Sequence, residues 1–323
     1  MSEYLYLLWF QFSNSLPRVT LSPEEIAREG QAVRDLGFEH VLLVSGEAPK
    51  SVGVDYFKEA LCILGPYFAQ VSLEVQPLLQ AEYEELIAFG LHSVLVYQET
   101  YNREQYRTHH PKGRKSNFAF RLETPERLGS AGIHKIGIGA LLGLEDWRTD
   151  SWFTALHLAY LRKRFWRTKF SISFPRLRPA EGLVEPRTVM NESELLQLIC
   201  AYRLFDENVE ISLSTRESAF FRDHVMTLGV TSMSAGSKTD PGGYAVRRNA
   251  LQQFSTSDER SPSEVAKSIE ARGYEPVWKD WDLSLMGVEQ SVYSTAPAVN
   301  KNGAVSSESV VRTSDGEPID VAL

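Results

Sequence analysis

Apolar and polar positions along this chain follow two periods, and each change of period marks an element. The stretch YLYLLWFQF, Tyr4 to Phe12, is apolar over about nine residues, strand length and far short of the ~18 to 20 that span a bilayer. It predicts a first strand, and neither a basic lead-in nor a small-residue cleavage site makes it a secretory signal. SPEEIAREGQAVRDLG then opens with Ser22 as N-cap, Pro23 at the first helical position and Glu25 closing a capping box, and stops at Gly37. HVLLVSGE is apolar on both faces, as a buried parallel strand requires. Further strands are predicted at VSLEVQPL, SVLVYQET, KIGIGALLG, KFSISFPRLRP, VEISLSTRE and VTSMSAGS. Between them the helical period covers Val54 to Phe68, AEYEELIAFG, TPERLGSAG, Trp147 to Arg164, SELLQLICAYRLF and Ser218 to Leu228, with a long loop through His109 and His110.

Eight predicted strands, each of the first seven followed by a helix, point to an α/β fold of the closed (β/α)8 TIM type. Alternation alone also allows an open doubly wound sheet, although that fold rarely needs eight consecutive units. The barrel is assigned to residues 1–240. A cap segment follows at 241–282, with a helix near Pro262 to Arg272 and the stretch YEPVWKDWD, which offers Trp278 and Trp281 as apolar anchors. Residues 283–323 have scattered Ser, Gly and Asn and no sustained period, and are expected to be a disordered tail.

A barrel carries its chemistry at the C-terminal ends of its strands, and here those ends are polar. They present Gly46 and Glu47, Gln76, Gln98 and Glu99, Arg176 and Arg178, then Ser214, Thr215 and Arg216, and finally Ser234 and Ser237. Each alone reads as a loop residue or cap; together they read as one rim. Strand KIGIGALLG instead presents Gly137, Gly139 and Gly143, where missing side chains would let a flat ligand approach the backbone. Its GxGxxxG spacing is not a dinucleotide fingerprint.

Composition narrows the classes. A formal charge of -8 and a pI near 5.5 argue against a nucleic-acid footprint, which needs clustered Lys and Arg. The dense basic run Lys112 to Lys115 reads as a solvated loop. Cys62 and Cys200, the two cysteines of the chain, sit in apolar helical patterns and read as buried structural thiols without disulfide or metal spacing. A cytoplasmic location is the expectation.

The segments EVQPL, VYQETYN, HHPKGRKSNFAFRLETPERLGSAGI, IGIGALLGLEDWRTD, ISFPRLRP, LSTRE, SAGSKTDPGGY and PVWKDWD together resemble the 2-iminoacetate synthase (ThiH) family, the tyrosine lyases of thiamine biosynthesis, from Phe10 to about Asp282. The resemblance implies a barrel of the radical SAM kind that binds S-adenosyl-L-methionine and a 4Fe-4S cluster. It implies tyrosine as substrate, Cα-Cβ cleavage to 2-iminoacetate and p-cresol, and thiazole synthase as a partner. Carried over by residue, Gly46 and Glu47 would receive the cofactor's amino group, Gln98 and Glu99 would lie near its ribose, and Arg121 would face its carboxylate. Ile138, Gly139 and Leu141 would face the adenine. Arg216, with Ser234 and Ser237, would hold the tyrosine carboxylate, as a planar guanidinium suits a bidentate acceptor.

One motif departs from the family. Its three cluster cysteines align with Met1, Leu5 and Leu8, none of which offers the thiolate that iron-sulfur ligation needs. The chain therefore reads as an N-terminally incomplete version of the lyase, inactive as written. The alternatives are a non-catalytic barrel that binds S-adenosylmethionine or thiazole synthase and, last, an unrelated chemistry built on Glu99 and Arg216. Bland roles also stand beside the sharp ones: Glu99 paired with a barrel arginine, Arg216 paired with Glu217, and His109 and His110 facing solvent.

Overall fold

The computed structural model describes residues 19–48, 51–177, 186–238, 241–245 and 256–278. Helix α1 (Pro23–Asp35) begins as its sequence dictates. The Ser22 side chain accepts from the Glu25 N–H while the Glu25 carboxylate accepts from the Ser22 N–H, satisfying two amides that a helix start leaves bare. The chain then alternates β1 (His40–Val44), α2 (Val54–Leu64), β2 (Gln70–Glu74), α3 (Gln80–Ala88) and β3 (Leu91–Tyr97). Three short helices follow, α4 (Arg103–His109), α5 (Phe118–Leu122) and α6 (Thr124–Ser130). Next come β4 (Lys135–Gly139), α7 (Trp147–Arg164), β5 (Lys169–Ser173), α8 (Glu192–Phe205), β6 (Glu210–Leu213), α9 (Ala219–Val225), β7 (Ser232–Met233) and α10 (Pro262–Glu270).

Every pairing is parallel and the seven strands lie in sequence order, which is the order of a TIM-type barrel rather than the reversed order of a doubly wound sheet. Strands β1 and β7 are the two edges of the described sheet. The predicted first strand, Tyr4 to Phe12, lies outside the described residues, as do Arg178, Trp281 and the tail at 283–323.

Side chains alternate across the sheet with the two-residue period of a strand. Val71, Leu73, Val94, Val96, Ile136, Ile138, Phe170, Ile172, Ile211 and Leu213 are buried in one continuous core. The other face carries serines, glycines and charged groups beside Leu95 and Tyr97. Register aligns Tyr97, Gly139, Ser173, Ser212 and Ser232 as one row and Leu95, Gly137, Ser171 and Glu210 as the next. A barrel interior is ordinarily filled with branched apolar side chains; serine and glycine in these rows leave it open. Ser72, Ser93, Ser171, Ser173 and Ser212 all line a cavity.

The glycines of β4 serve that packing. A Cβ on Gly137 would stand 2.7 Å from Leu95 Cγ, and one on Gly139 would stand 2.6 Å from the Ser173 carbonyl oxygen and 3.0 Å from Tyr97 Cδ1. No side chain larger than the glycine hydrogen therefore fits at these two positions.

Three other expectations change. The segment expected to be a loop through His109 and His110 contains α4, started by Asn102, whose side chain accepts from the Glu104 and Gln105 N–H groups. Both histidines are buried, and burial lowers the pKa of each imidazole. Cys62 is exposed and Cys200 half-buried, because each falls on the outward side of its helix while Leu61 and Ile199 beside them take the core positions. Leu42 and Val44, read as buried on both faces of their strand, are exposed, because they lie in register with Ser72 and Glu74 on the face that lines the open cavity.

Asp150 on α7 fastens the loop after β3. Its Oδ1 accepts from Thr100 Oγ1 at 3.0 Å and from the Tyr101 N–H at 2.8 Å, and it is 1% exposed. Burial outweighs both hydrogen bonds and pushes its carboxyl up to about 6. A raised acid binds its proton more tightly when folded, so its contribution to stability is full below the unfolded value near 3.8 and is lost as pH rises through about 6. Asp150→Asn keeps the accepting oxygen and carries no charge. Its melting temperature relative to the parent is expected to rise between pH 4 and 7 by the equivalent of roughly 2 kcal/mol and then level off. Parallel thermal melts across that range are the check, and a pH-independent difference would contradict the assignment.

Candidate functional site

The polar strand ends converge on a cavity of about 2600 Å³, larger than the ~300 to 1000 Å³ usual for one small ligand. Gly46 and Glu47 reach it from beyond β1, Gln76 from beyond β2, Arg216 from beyond β6, and Ser234 and Ser237 from beyond β7. Lys115 and Arg121 enter from the segment between β3 and β4. Gln98, Glu99, Ile138, Gly139 and Leu141 are buried outside that lining, in the strand ends behind it.

The wall is organised by Arg121. Its Nε donates to the Tyr97 carbonyl at 2.7 Å, Nη1 to Glu47 Oε1 at 3.4 Å and Nη2 to Glu99 Oε1 at 3.3 Å. Lys115 Nζ donates to the same Glu99 oxygen at 2.6 Å. Two carboxylates thus face two cations, and Arg121 and Glu99 are 2% and 1% exposed at their side chains. Burial is the largest influence on the Glu99 carboxyl and raises it, but Lys115 and Arg121 together hold it below the ordinary value. On Lys115 burial dominates and lowers the ammonium, against the pull of Glu99.

Glu99 has a φ of 72°, the one positive value at a non-glycine residue among those described. A left-handed residue of this kind costs on the order of 1 to 3 kcal/mol and persists where its surroundings over-determine it. Here they do: Gln98 N–H bonds the Gly139 carbonyl at 2.9 Å and Leu141 N–H bonds the Glu99 carbonyl at 2.8 Å. The paired charges therefore sit on a backbone held by β4.

The solvated reading of Lys112 to Lys115 is corrected at its last residue. Lys115 is buried because its carbonyl accepts from Tyr106 Oη at 2.7 Å while Tyr106 packs against His110 and Phe118, folding the segment back on α4. A basic run carries no sign of this; the signal is a carboxylate that only the tertiary fold brings near. The barrel-arginine alternative for Glu99 is present as its pair with Arg121. Glu217, weighed as a partner of Arg216, is gripped by Arg176, whose Nε lies 3.0 Å from Glu217 Oε1 and whose Nη2 also bonds it. Arg216 stands on the cavity lining, its N–H held by Ser214 Oγ at 3.3 Å.

This arrangement has relatives. The Radical SAM superfamily model matches residues 11–152 and the Biotin and Thiamin Synthesis associated domain matches 173–275. The chain is 53% identical over 277 residues to 2-iminoacetate synthase of Escherichia coli (strain K12), covering 85% of this chain and 74% of that protein. It belongs to the 2-iminoacetate synthase family. Among solved structures it is similar to HydG, a maturase of the [FeFe]-hydrogenase, with a TM-score of 0.80 at 28% identity over 85% of this chain. HydG from Carboxydothermus hydrogenoformans gives 0.77 at 34% identity over 82% of the chain. The chain spans 62% of the length of each of these HydG chains. Membership fixes the architecture as a TIM-type barrel of the radical SAM kind, a class that uses S-adenosylmethionine and a 4Fe-4S cluster.

For the cluster, the thiols of this chain do not fit. Cys62 lies on α2 and Cys200 on α8, neither lines the cavity, and among the described residues no group of three His, Cys, Asp or Glu side chains is placed to hold a metal ion. For the nucleoside, Gln76 Oε1 at the cavity lining has no hydrogen-bond partner among the described residues, and a buried polar atom of that kind calls for one; Gln98 Nε2 and Glu99 Oε2, also unpartnered among the described residues, lie behind the lining. Among the described residues no helix is long and apolar enough to cross a membrane.

Proposed function

We propose that the cavity binds S-adenosylmethionine beside tyrosine and that the chain is built for the Cα-Cβ cleavage performed by 2-iminoacetate synthases. The observation that carries this reading is the wall of Glu47, Arg121 and Lys115, backed by Glu99 behind the lining, which shares one cavity with Arg216. A zwitterionic amino acid needs an acceptor for its ammonium and a cation for its carboxylate, and the wall presents Glu47 and Arg121 side by side. Arg216 offers a second carboxylate its planar donor pair. Ser234 and Ser237 supply hydroxyls on the same lining. Gln76, on the same lining, presents an unpartnered side-chain oxygen of the kind a ribose hydroxyl satisfies.

A 4Fe-4S cluster would supply one-electron reducing chemistry toward S-adenosylmethionine, and Cys62 and Cys200 do not compose its ligand set. What the chain's own residues do is bind, orient and exclude water: Lys115 and Arg121 neutralise the two carboxylates, so a nucleoside meets a wall without net charge. That two-cysteine count also favours a second reading, a barrel that binds the same ligands without turning them over. Thiazole synthase, the enzyme that consumes 2-iminoacetate, is the partner both readings imply.

Isothermal titration of the 323-residue chain with S-adenosylmethionine tests the proposal. Binding is expected, and Glu47→Gln is expected to weaken it about tenfold, the loss of one charge-assisted contact of about 1.4 kcal/mol. Heat that is absent for the parent, or unchanged in the variant, would refute the assignment of the wall. Anaerobic incubation of the same polypeptide with iron and sulfide is expected to yield no p-cresol from tyrosine; its release would show that ligands other than these two thiols hold a cluster.

A further inference from the structure

We propose that Arg222, with Asp258, is a positioning residue that sets the carboxylate-binding end of the cavity; this rests on the reading of Arg216 as the tyrosine carboxylate's partner. Arg222 is on α9, is 0% exposed, and is not itself part of the cavity lining. Its Nη1 bonds Asp258 Oδ2 and its Nη2 bonds the Ser234 carbonyl. Asp258 in turn belongs to a short segment that grips the end of β6. The N–H groups of Ser257 and Asp258 both donate to the Thr215 carbonyl, at 2.9 and 3.0 Å.

That carbonyl belongs to the peptide unit that carries the Arg216 N–H. The unit is therefore held from both sides, by two donors on its oxygen and by Ser214 Oγ on its N–H. Ser234 is held likewise, its N–H on the Leu213 carbonyl at 3.1 Å and its own carbonyl on Arg222. One guanidinium thus ties the two strand ends that carry Arg216 and Ser234 to the cavity, because its planar fork bonds two acceptors at a fixed separation. A lysine offers a point charge on a flexible stem and loses that geometry.

A second set of bonds runs outward from the same segment. Arg260 pairs with Asp258 and Asp223, and Asp223 also accepts from Ser268 Oγ at 2.8 Å and from Arg272. These bonds fasten α10 and engage neither Thr215 nor Ser234. They provide the control for a role that is only structural.

The test compares L-tyrosine with tyramine, which lacks the carboxylate, by titration of the full chain in the presence of S-adenosylmethionine. Arg222→Lys is expected to raise the Kd for tyrosine about tenfold, a loss of about 1.4 kcal/mol, with tyramine shifted by less than about twofold. Asp258→Asn, nearly isosteric, should behave in the same way and serves if the lysine variant does not fold. Arg272→Met is expected to lower the melting temperature while leaving the ratio of the two affinities unchanged. Equal losses for both ligands in Arg222→Lys and Asp258→Asn, or no loss in either, would overturn the positioning role. Arg216→Ala separates the two ideas: if it leaves tyrosine binding intact, the underlying assignment of the carboxylate site fails; if it abolishes the preference and the clasp variants do not, only the inference fails.

Discussion

Arg121→Leu is expected to destabilise the protein by about 3 to 5 kcal/mol and to abolish binding of S-adenosylmethionine. The magnitude follows from what is left behind. Removing the guanidinium strips Glu99 of one of two cations and Glu47 of its 3.4 Å partner, and takes the Arg121 donor from the Tyr97 carbonyl at the end of β3. Breaking a buried pair costs far more than the pair contributes, since the surviving charge stays out of water. In a chain of this size the loss corresponds to a melting point lower by on the order of 10 °C.

Glu99→Gln alone is expected to destabilise as well, because Lys115 and Arg121 then face each other without that counter-charge. The double variant Arg121→Leu with Glu99→Gln should lose less than the sum of the two singles, as residues within one network do not add. Thermal melts of the three variants measure this, and strict additivity would show that Arg121 and Glu99 are not coupled.

Gly139→Ala should cost roughly 1 to 3 kcal/mol, the range for overpacking a filled core. The added carbon has nowhere to go. It would stand 2.6 Å from the Ser173 carbonyl oxygen, a backbone atom of the neighbouring strand paired in register with Gly139. Relief requires β4 and β5 to part, and the Gln98 N–H bond to the Gly139 carbonyl would carry that shift toward Glu99. Chemical denaturation reads the loss in stability. An alanine variant as stable as the parent would mean that the two strands separate at little cost.

The elements most legible in the sequence are those with local causes. The Ser22–Glu25 capping box, the parallel strands read from apolar runs, and the order of seven of the eight predicted strands all depend on neighbours a few residues apart. Helix α4 escapes that reading although its cap is local: Asn102 is a good N-cap, but only seven residues follow it, and the polar stretch REQYRTH shows no apolar stripe. The exposed position of Cys62 escapes it because a helical apolar pattern states which residues can be buried, not which side of the helix meets the sheet.

Family membership, the barrel class and the set of polar strand ends were carried by the order of residues alone, because a repeated strand-helix alternation and contiguous motifs are properties of sequence. Only the tertiary structure decided that Lys115 is buried on Glu99, that Arg176 engages Glu217 through its fork, and that Arg222 and Asp258 clasp the ends of β6 and β7. Each of those choices joins residues between 12 and 41 positions apart, and a charge finds its partner across such spans only after strands in register have brought their ends to one place.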